Sequence, residues 1–166
     1  HVSAPPTLPM VRAAVDYLRA TLQGDGRVWR IVPPEAADAP HAPWWAQDGL
    51  EERFNGYRLN PKADVVAQLH ALGDAAPRPW LAQLAVDVLE AVSTQLEAGD
   101  AGGSGAVLEM HDLIGATRLL DAGGLDASLR DRLLSVLTPV AVAAVRAASG
   151  ESGYALEPLS VAPSPG

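Results

Sequence analysis

Apolar residues recur at helical spacing in five segments of the chain, and every segment runs out at a glycine. Val11, Val15, Leu18 and Leu22 put one apolar face on a helix from about Pro9 to Gln23, which Gly24 stops. Asn60-Pro61 reads as an N-cap followed by proline at the first helical position, opening a helix that carries Val65, Val66, Leu69 and Leu72 before Gly73. A third helix, from about Arg78 to Ala98, keeps Leu81, Leu84, Val88, Val92 and Leu96 in register and stops at Gly99. The fourth is expected over about Val107–Ala122, with Met110, Leu113, Ile114, Thr117 and Leu120 inward and Gly123-Gly124 after it. Asp126 caps the fifth, which runs through Leu129, Leu133, Leu137 and Val140 to Gly150, with Pro139 predicted to kink or break it.

Alternation with period two is brief: residues 27–32 come closest and predict a short strand or extended arm. The class is therefore all-α, with antiparallel helical hairpins across the short joints at 73–78 and 123–126. Residues 24–59 form an excursion too long for a passive connection. It holds Trp29, Trp44, Trp45, Phe54 and Tyr57, more aromatic surface than a disordered segment carries, and is expected to be an ordered loop. Gly99–Gly105 reads as a flexible hinge. A single helical domain is expected over 1–159, with 160–166 as an extended tail or linker.

Composition narrows the classes. A chain of 166 residues can bury the core of one domain, and no apolar run approaches the roughly 20 residues that span a bilayer. The absence of cysteine removes disulfides, thiolate zinc sites and cysteine nucleophiles. A net charge of −8, spread without a basic cluster, opposes nucleic acid as a partner. A soluble, cytoplasmic protein without a cofactor is expected. His1 is no natural initiator and opens no signal pattern, so the chain is read as starting inside a longer protein or after tag removal.

Trp29, the Pro40-His-Ala-Pro-Trp-Trp45 run, the Asn60-Pro61 helix start and Tyr154-Ala-Leu-Glu-Pro-Leu159 together resemble bacterial proteins of the prenyltransferase and squalene-cyclase-like (terpenoid cyclase) superfamily. The resemblance extends from about Leu18 to Pro165 and implies an α/α toroid. The helices read here supply about half of such a ring, or an incomplete helical barrel, so the rest would come from other parts of the protein or from a second copy of the chain. The departures bear on activity. The Asp-x-Asp-Asp acid motif of the terpene cyclases is missing, and the cysteine that protein prenyltransferases use for zinc has no counterpart. Residues 23–29 hold only an eroded copy of the superfamily's Gln-x-x-x-Gly-x-Trp repeat, with glycine and tryptophan no longer at the right separation.

Candidate site residues follow, each with a structural alternative. Trp29, Trp44 and Trp45 either wall a pocket for a cationic or apolar ligand or plug the end of a helical barrel. His41, held between Pro40 and Pro43, either works as acid, base or ligand or bonds loop backbone. His111 and Asp112 point about 100° apart on a helix, too far for a side-by-side dyad, although one of them could reach a central cavity. Arg53 and Tyr57 add polar groups beside the tryptophans, with Arg53 and Arg58 able to hold a diphosphate or to pair with Glu51 or Glu52. His70 is expected to face solvent or a neighbouring helix. No residue spacing suggests a metal site. The leading expectation is a toroid domain binding an apolar, isoprenoid-like ligand in a cavity bordered by His41, Trp44 and Trp45. The alternatives are a non-catalytic helical scaffold or partner-binding module, and a carbohydrate-active helical barrel; whether the chain is an enzyme stays open.

Overall fold

A computed structural model of the chain describes residues 5–24, 27–43, 46, 48–102, 108 and 110–150. The fold is all-α: 71% helical, with no strand among the described residues. Helix α1 (Pro9–Thr21) opens on proline and buries Val11 and Val15, as its apolar spacing predicts. Beyond it the chain reverses at Gly24, whose φ of +65° suits glycine. The backbone groups of Gln23 and Val28 bond each other there at 3.0 Å, so the expected strand is one antiparallel bridge. The reversal swings Trp29 back onto α1. Its indole N–H donates to the Leu18 carbonyl at 2.7 Å, satisfying the polar atom of a buried ring.

The excursion after Trp29 carries its own short elements: a 3-10 turn at Pro34–Asp38, helix α2 (Leu50–Arg53) and a turn at Asn55–Tyr57. Asn55, Gly56 and Tyr57 all take positive φ, at 47°, 66° and 57°. Glycine adopts this region freely; an aromatic residue does so at a cost that its surroundings must offset. Tyr57 is buried and stacks on Phe54 with ring centroids 6.3 Å apart.

Four longer helices build the body: α3 (Lys62–Ala71), α4 (Arg78–Gly102), α5 (Met110–Asp121) and α6 (Ala127–Gly150). Asp126 caps α6 as predicted, its carboxylate accepting from the backbone N–H groups of Ser128 and Leu129 at 2.9 and 3.3 Å. Two boundary expectations fail and a third is narrowed. Asn60 does not cap α3: the Asn60-Pro61 bond is cis, Pro61 takes the cap position, and the first helical bonds run to the carbonyls of Leu59 and Pro61. Gly99 does not stop α4, which continues through it to Gly102, so the first part of the expected hinge is helix. Pro139 does not break α6, which continues to Gly150. The remainder of the hinge, residues 103–105, and the segment from 151 onward lie outside the described residues.

The body is two stacked hairpins. Helix α3 packs against its hairpin partner α4 and against α5, and α6 packs against α5 and α4, so each helix meets its own partner and its counterpart in the other hairpin. In both hairpins a short first helix leads through a glycine turn into a long second one. Leu81, Ala85 and Leu89 of α4 and Leu129, Leu133 and Leu137 of α6 are buried at identical spacing, so the second helices use the same face. Fully burying each leucine contributes about 1.5–3 kcal/mol.

The face that α5 buries is not the expected one. Asp112, Gly115, Ala116 and Leu119 turn inward, while Leu113, Ile114, Thr117 and Leu120 are half-buried on the flanks. Residue size explains the rotation. At Gly115 an added Cβ would stand 3.0 Å from the Ala63 Cβ and 3.2 Å from the Asp64 nitrogen, so α5 approaches α3 where both helices are small. Hydrophobicity ranks glycine and alanine below leucine, but close packing selects them at the crossing.

Candidate functional site

The predicted site residues fall into separate local clusters. Trp29 is a core residue: it meets Trp80 edge-on with centroids 6.5 Å apart, and the Arg19 guanidinium lies 5.9 Å over the Trp80 ring. His41 is exposed, with Nδ1 2.7 Å from the Ala39 carbonyl, the backbone bond of its structural alternative. Trp44 and Trp45 lie outside the described residues. Arg53 is exposed with its guanidinium 5.7 Å over the Phe54 ring, and Tyr57 sits on the other side of the same short turn. Burial raises the Tyr57 phenol above its ordinary pKa, with Arg30 opposing and Glu51 and Glu52 adding to the shift.

His111 and Asp112 diverge as their spacing requires. His111 is exposed, whereas Asp112 is buried and accepts from Gln95 Nε2 at 3.4 Å. The Gln95 side-chain oxygen accepts in turn from Asn55 Nδ2 at 3.2 Å. The relay joins α5, α4 and the left-handed turn, so Asp112 helps to hold the excursion onto the hairpins.

A charged cluster escaped the sequence reading. Lys62 is 2% exposed, and its ammonium lies 3.0 Å from Asp87 Oδ2. Gln83 donates to the other Asp87 oxygen at 3.1 Å. Arg27 Nε lies 3.2 Å from Oδ2, at an angle that makes no hydrogen bond. Burial lowers the Lys62 pKa, and the bond and charge of Asp87 resist that shift. A signal was present: this is the chain's single lysine, next to the buried Ala63 in a sequence that otherwise uses arginine.

His70 is likewise buried, at 7% exposure, with Nε2 3.4 Å from the Leu81 carbonyl and the backbone of Gly123 also in reach. It links the two hairpins at their turns. Burial lowers its pKa below the ordinary 6.5, against the opposing pull of those two backbone groups. Beside it lies a groove of about 620 Å³ between the turns, floored by Leu81, Leu125 and Leu129 and rimmed by Asp74, Arg78 and Asp126. Asp74 and Arg78 pair at 3.2 Å while both remain exposed, an interaction that contributes little.

The surface holds a further feature on α1. Arg12, Asp16 and Arg19 form a charged edge, and Met10, Ala13, Ala14, Tyr17 and Ala20 form a second apolar stripe turned away from the core. Met10 is 76% and Tyr17 58% exposed, against 44% for Leu134 and 43% for Val142 on α6. No described helix is long and apolar enough to cross a membrane. Among the described residues no three His, Asp or Glu side chains gather to hold a metal ion. Compared with protein-family models, curated proteins and solved structures, the chain matches none.

Proposed function

We propose that this chain is a non-catalytic helical-hairpin module that offers a helix face to another helical segment. One observation carries the reading: α1 has an apolar stripe besides the one it buries, and that stripe holds Met10 and Tyr17, the most exposed large apolar side chains described. A helix with two apolar faces has a use for both. The stacking of α3/α4 on α5/α6 supports the toroid-like expectation to the same extent, since arrays of this kind bury each hairpin against the next and need polar caps where they end. The outer side of α1 is not such a cap.

The test is thermodynamic. If the stripe is a docking face, the double substitution Met10→Gln/Tyr17→Gln leaves the melting temperature within about 2 °C of the parent, because surface changes away from packed features stay within about 0.5 kcal/mol. A fall of more than about 5 °C would place the stripe inside the chain's own packing and sink the proposal.

One observation favours a ligand reading as well: the groove between the turns has an apolar floor and the volume of a small-molecule site. Ala82 lines it from the exposed side of α4, so Ala82→Arg would fill it without touching the core. Calorimetric titration with an isoprenoid diphosphate carries this reading if binding is present in the parent and lost in Ala82→Arg. Heat that persists in the variant removes it.

A further inference from the structure

We propose that Asn55 is a site of spontaneous chemical modification, and that its conversion to an acid releases the excursion from the hairpins. Asparagine is among the chemically labile residues, and the neighbours of the chain's two asparagines set opposite reactivities. Asn55 precedes Gly56, whose backbone nitrogen carries a proton and has no Cβ beside it to shield it. Asn60 precedes Pro61, which has no N–H to give up. Loss of its proton lets the Gly56 nitrogen attack Asn55 Cγ. An N–Cγ bond forms, the Cγ–Nδ2 bond breaks, and the side-chain amide leaves as ammonia with the proton that Gly56 gave up. Water then opens the cyclic imide at either carbonyl. Opening at Cγ leaves aspartate; opening at the backbone carbon leaves isoaspartate, with the main chain rerouted through the side chain.

The surroundings favour the reaction and give it a consequence. Asn55 is exposed, so water reaches the imide, and among the described residues the Gly56 N–H donates to no backbone carbonyl. A Cβ at Gly56 would stand 3.9 Å from Arg58 Cγ and Nε, so a guanidinium lies beside the amide and favours its deprotonated form. Asn55 is also the outer end of the relay to the buried Asp112. Gln95 turns its side-chain oxygen to Asn55 Nδ2 and its nitrogen to Asp112, at 3.2 and 3.4 Å. A carboxylate at position 55 offers that oxygen no proton, and turning the Gln95 amide over only moves the mismatch to Asp112. Two carboxylates then face one amide, and one link of the relay is lost. Isoaspartate goes further, because its extra main-chain carbon no longer fits the turn that the Tyr57 N–H closes on the Phe54 carbonyl at 2.9 Å.

Peptide mapping by mass spectrometry tests it, on the folded chain held for days at mildly alkaline pH. Asn55 is expected to convert to a mixture of aspartate and isoaspartate while Asn60 stays intact in the same sample. Arg58→Gln should slow the conversion several-fold in the folded chain and leave it unchanged in urea, where the guanidinium is no longer held beside Gly56. Hydrogen exchange of residues 50–57 should quicken in the aged chain and in Asn55→Asp, with α4 and α6 as protected as in the fresh parent. Conversion in urea but not in the folded chain would mean that the relay protects Asn55, and overturns the proposal. Exchange that is unchanged in Asn55→Asp, or that quickens evenly over every helix, overturns the local release. Equal rates for Arg58→Gln and the parent in the folded state overturn the role given to Arg58.

Discussion

The two hairpins bury leucines in the same register yet differ in what surrounds them. The α3/α4 hairpin is sheathed: α1, the Trp29 arm and the Asn55–Tyr57 turn pack over it, and Lys62 and Asp87 lie within or at the edge of that cover. The α5/α6 hairpin packs on its counterpart, and among the described residues Leu134 and Val142 stay exposed on α6. A buried ion needs partners on every side that water would have occupied. For Lys62 the hairpin itself brings them, Asp87 from α4 with Gln83 on its other oxygen, and the sheath adds the Arg27 charge beside Asp87. Along α6 the buried positions among the described residues are leucines alone.

Three experiments press on this contrast. The largest effect is expected from Leu84→Ala in the first hairpin and Leu133→Ala in the second, each costing about 2–5 kcal/mol, since both side chains are fully buried. Tryptophans occur only in the first hairpin and the segment before it, so their fluorescence reports that side while circular dichroism reports every helix. Coincident urea transitions in both variants would make the hairpins one cooperative unit. A Leu133→Ala variant that loses helix before its fluorescence changes would split them.

Next in size is Lys62→Ala, expected to cost about 3 kcal/mol by stripping a buried partner from Asp87. Lys62→Met keeps the aliphatic stem and should recover part of that loss in the same denaturation assay. Equal stability of the two variants would mean that the charge matters and the packing of the stem does not.

The smallest effect is a pH dependence carried by His70. Its folded pKa is lowered, so as pH falls past 6.5 the unfolded chain takes up a proton that the folded chain resists. The contribution is therefore complete above pH 6.5 and is lost as pH drops towards the folded value. Thermal melts at about pH 7.5 and 5.5 should show a larger drop for the parent than for His70→Asn, because only the parent titrates there. Identical drops would remove His70 as a link between the hairpin turns.

Much of the fold was legible because it rests on local signals. The Asp126 cap, the glycine turns and the leucines of α4 and α6 are set by neighbours in sequence, and each appears where its pattern places it. Tertiary packing decided what was misread. Gly115 is buried because Ala63 lies opposite, and no period along α5 carries that information. Lys62 drew no expectation and His70 was expected to face solvent or a neighbouring helix; the groups that decide their burial, Asp87 and the Leu81 carbonyl, come from another helix. The candidate site was the least legible part. Trp29 proves to be core, and His41, Arg53 and Tyr57 each answer to contacts within a few residues of themselves.

The missing methyl at Gly115 works as a shim between the hairpins. From it α5 runs six residues on to Asp121, about 9 Å of rigid helix, and the groove opens just beyond that end. A side chain at position 115 would wedge the hairpins apart near the start of α3, and the far turns would tilt as the end of a lever does. A larger residue at position 115, which lines none of the groove, is therefore expected to change its width, and chains of this design could change what the groove admits while every residue on its surface stays the same.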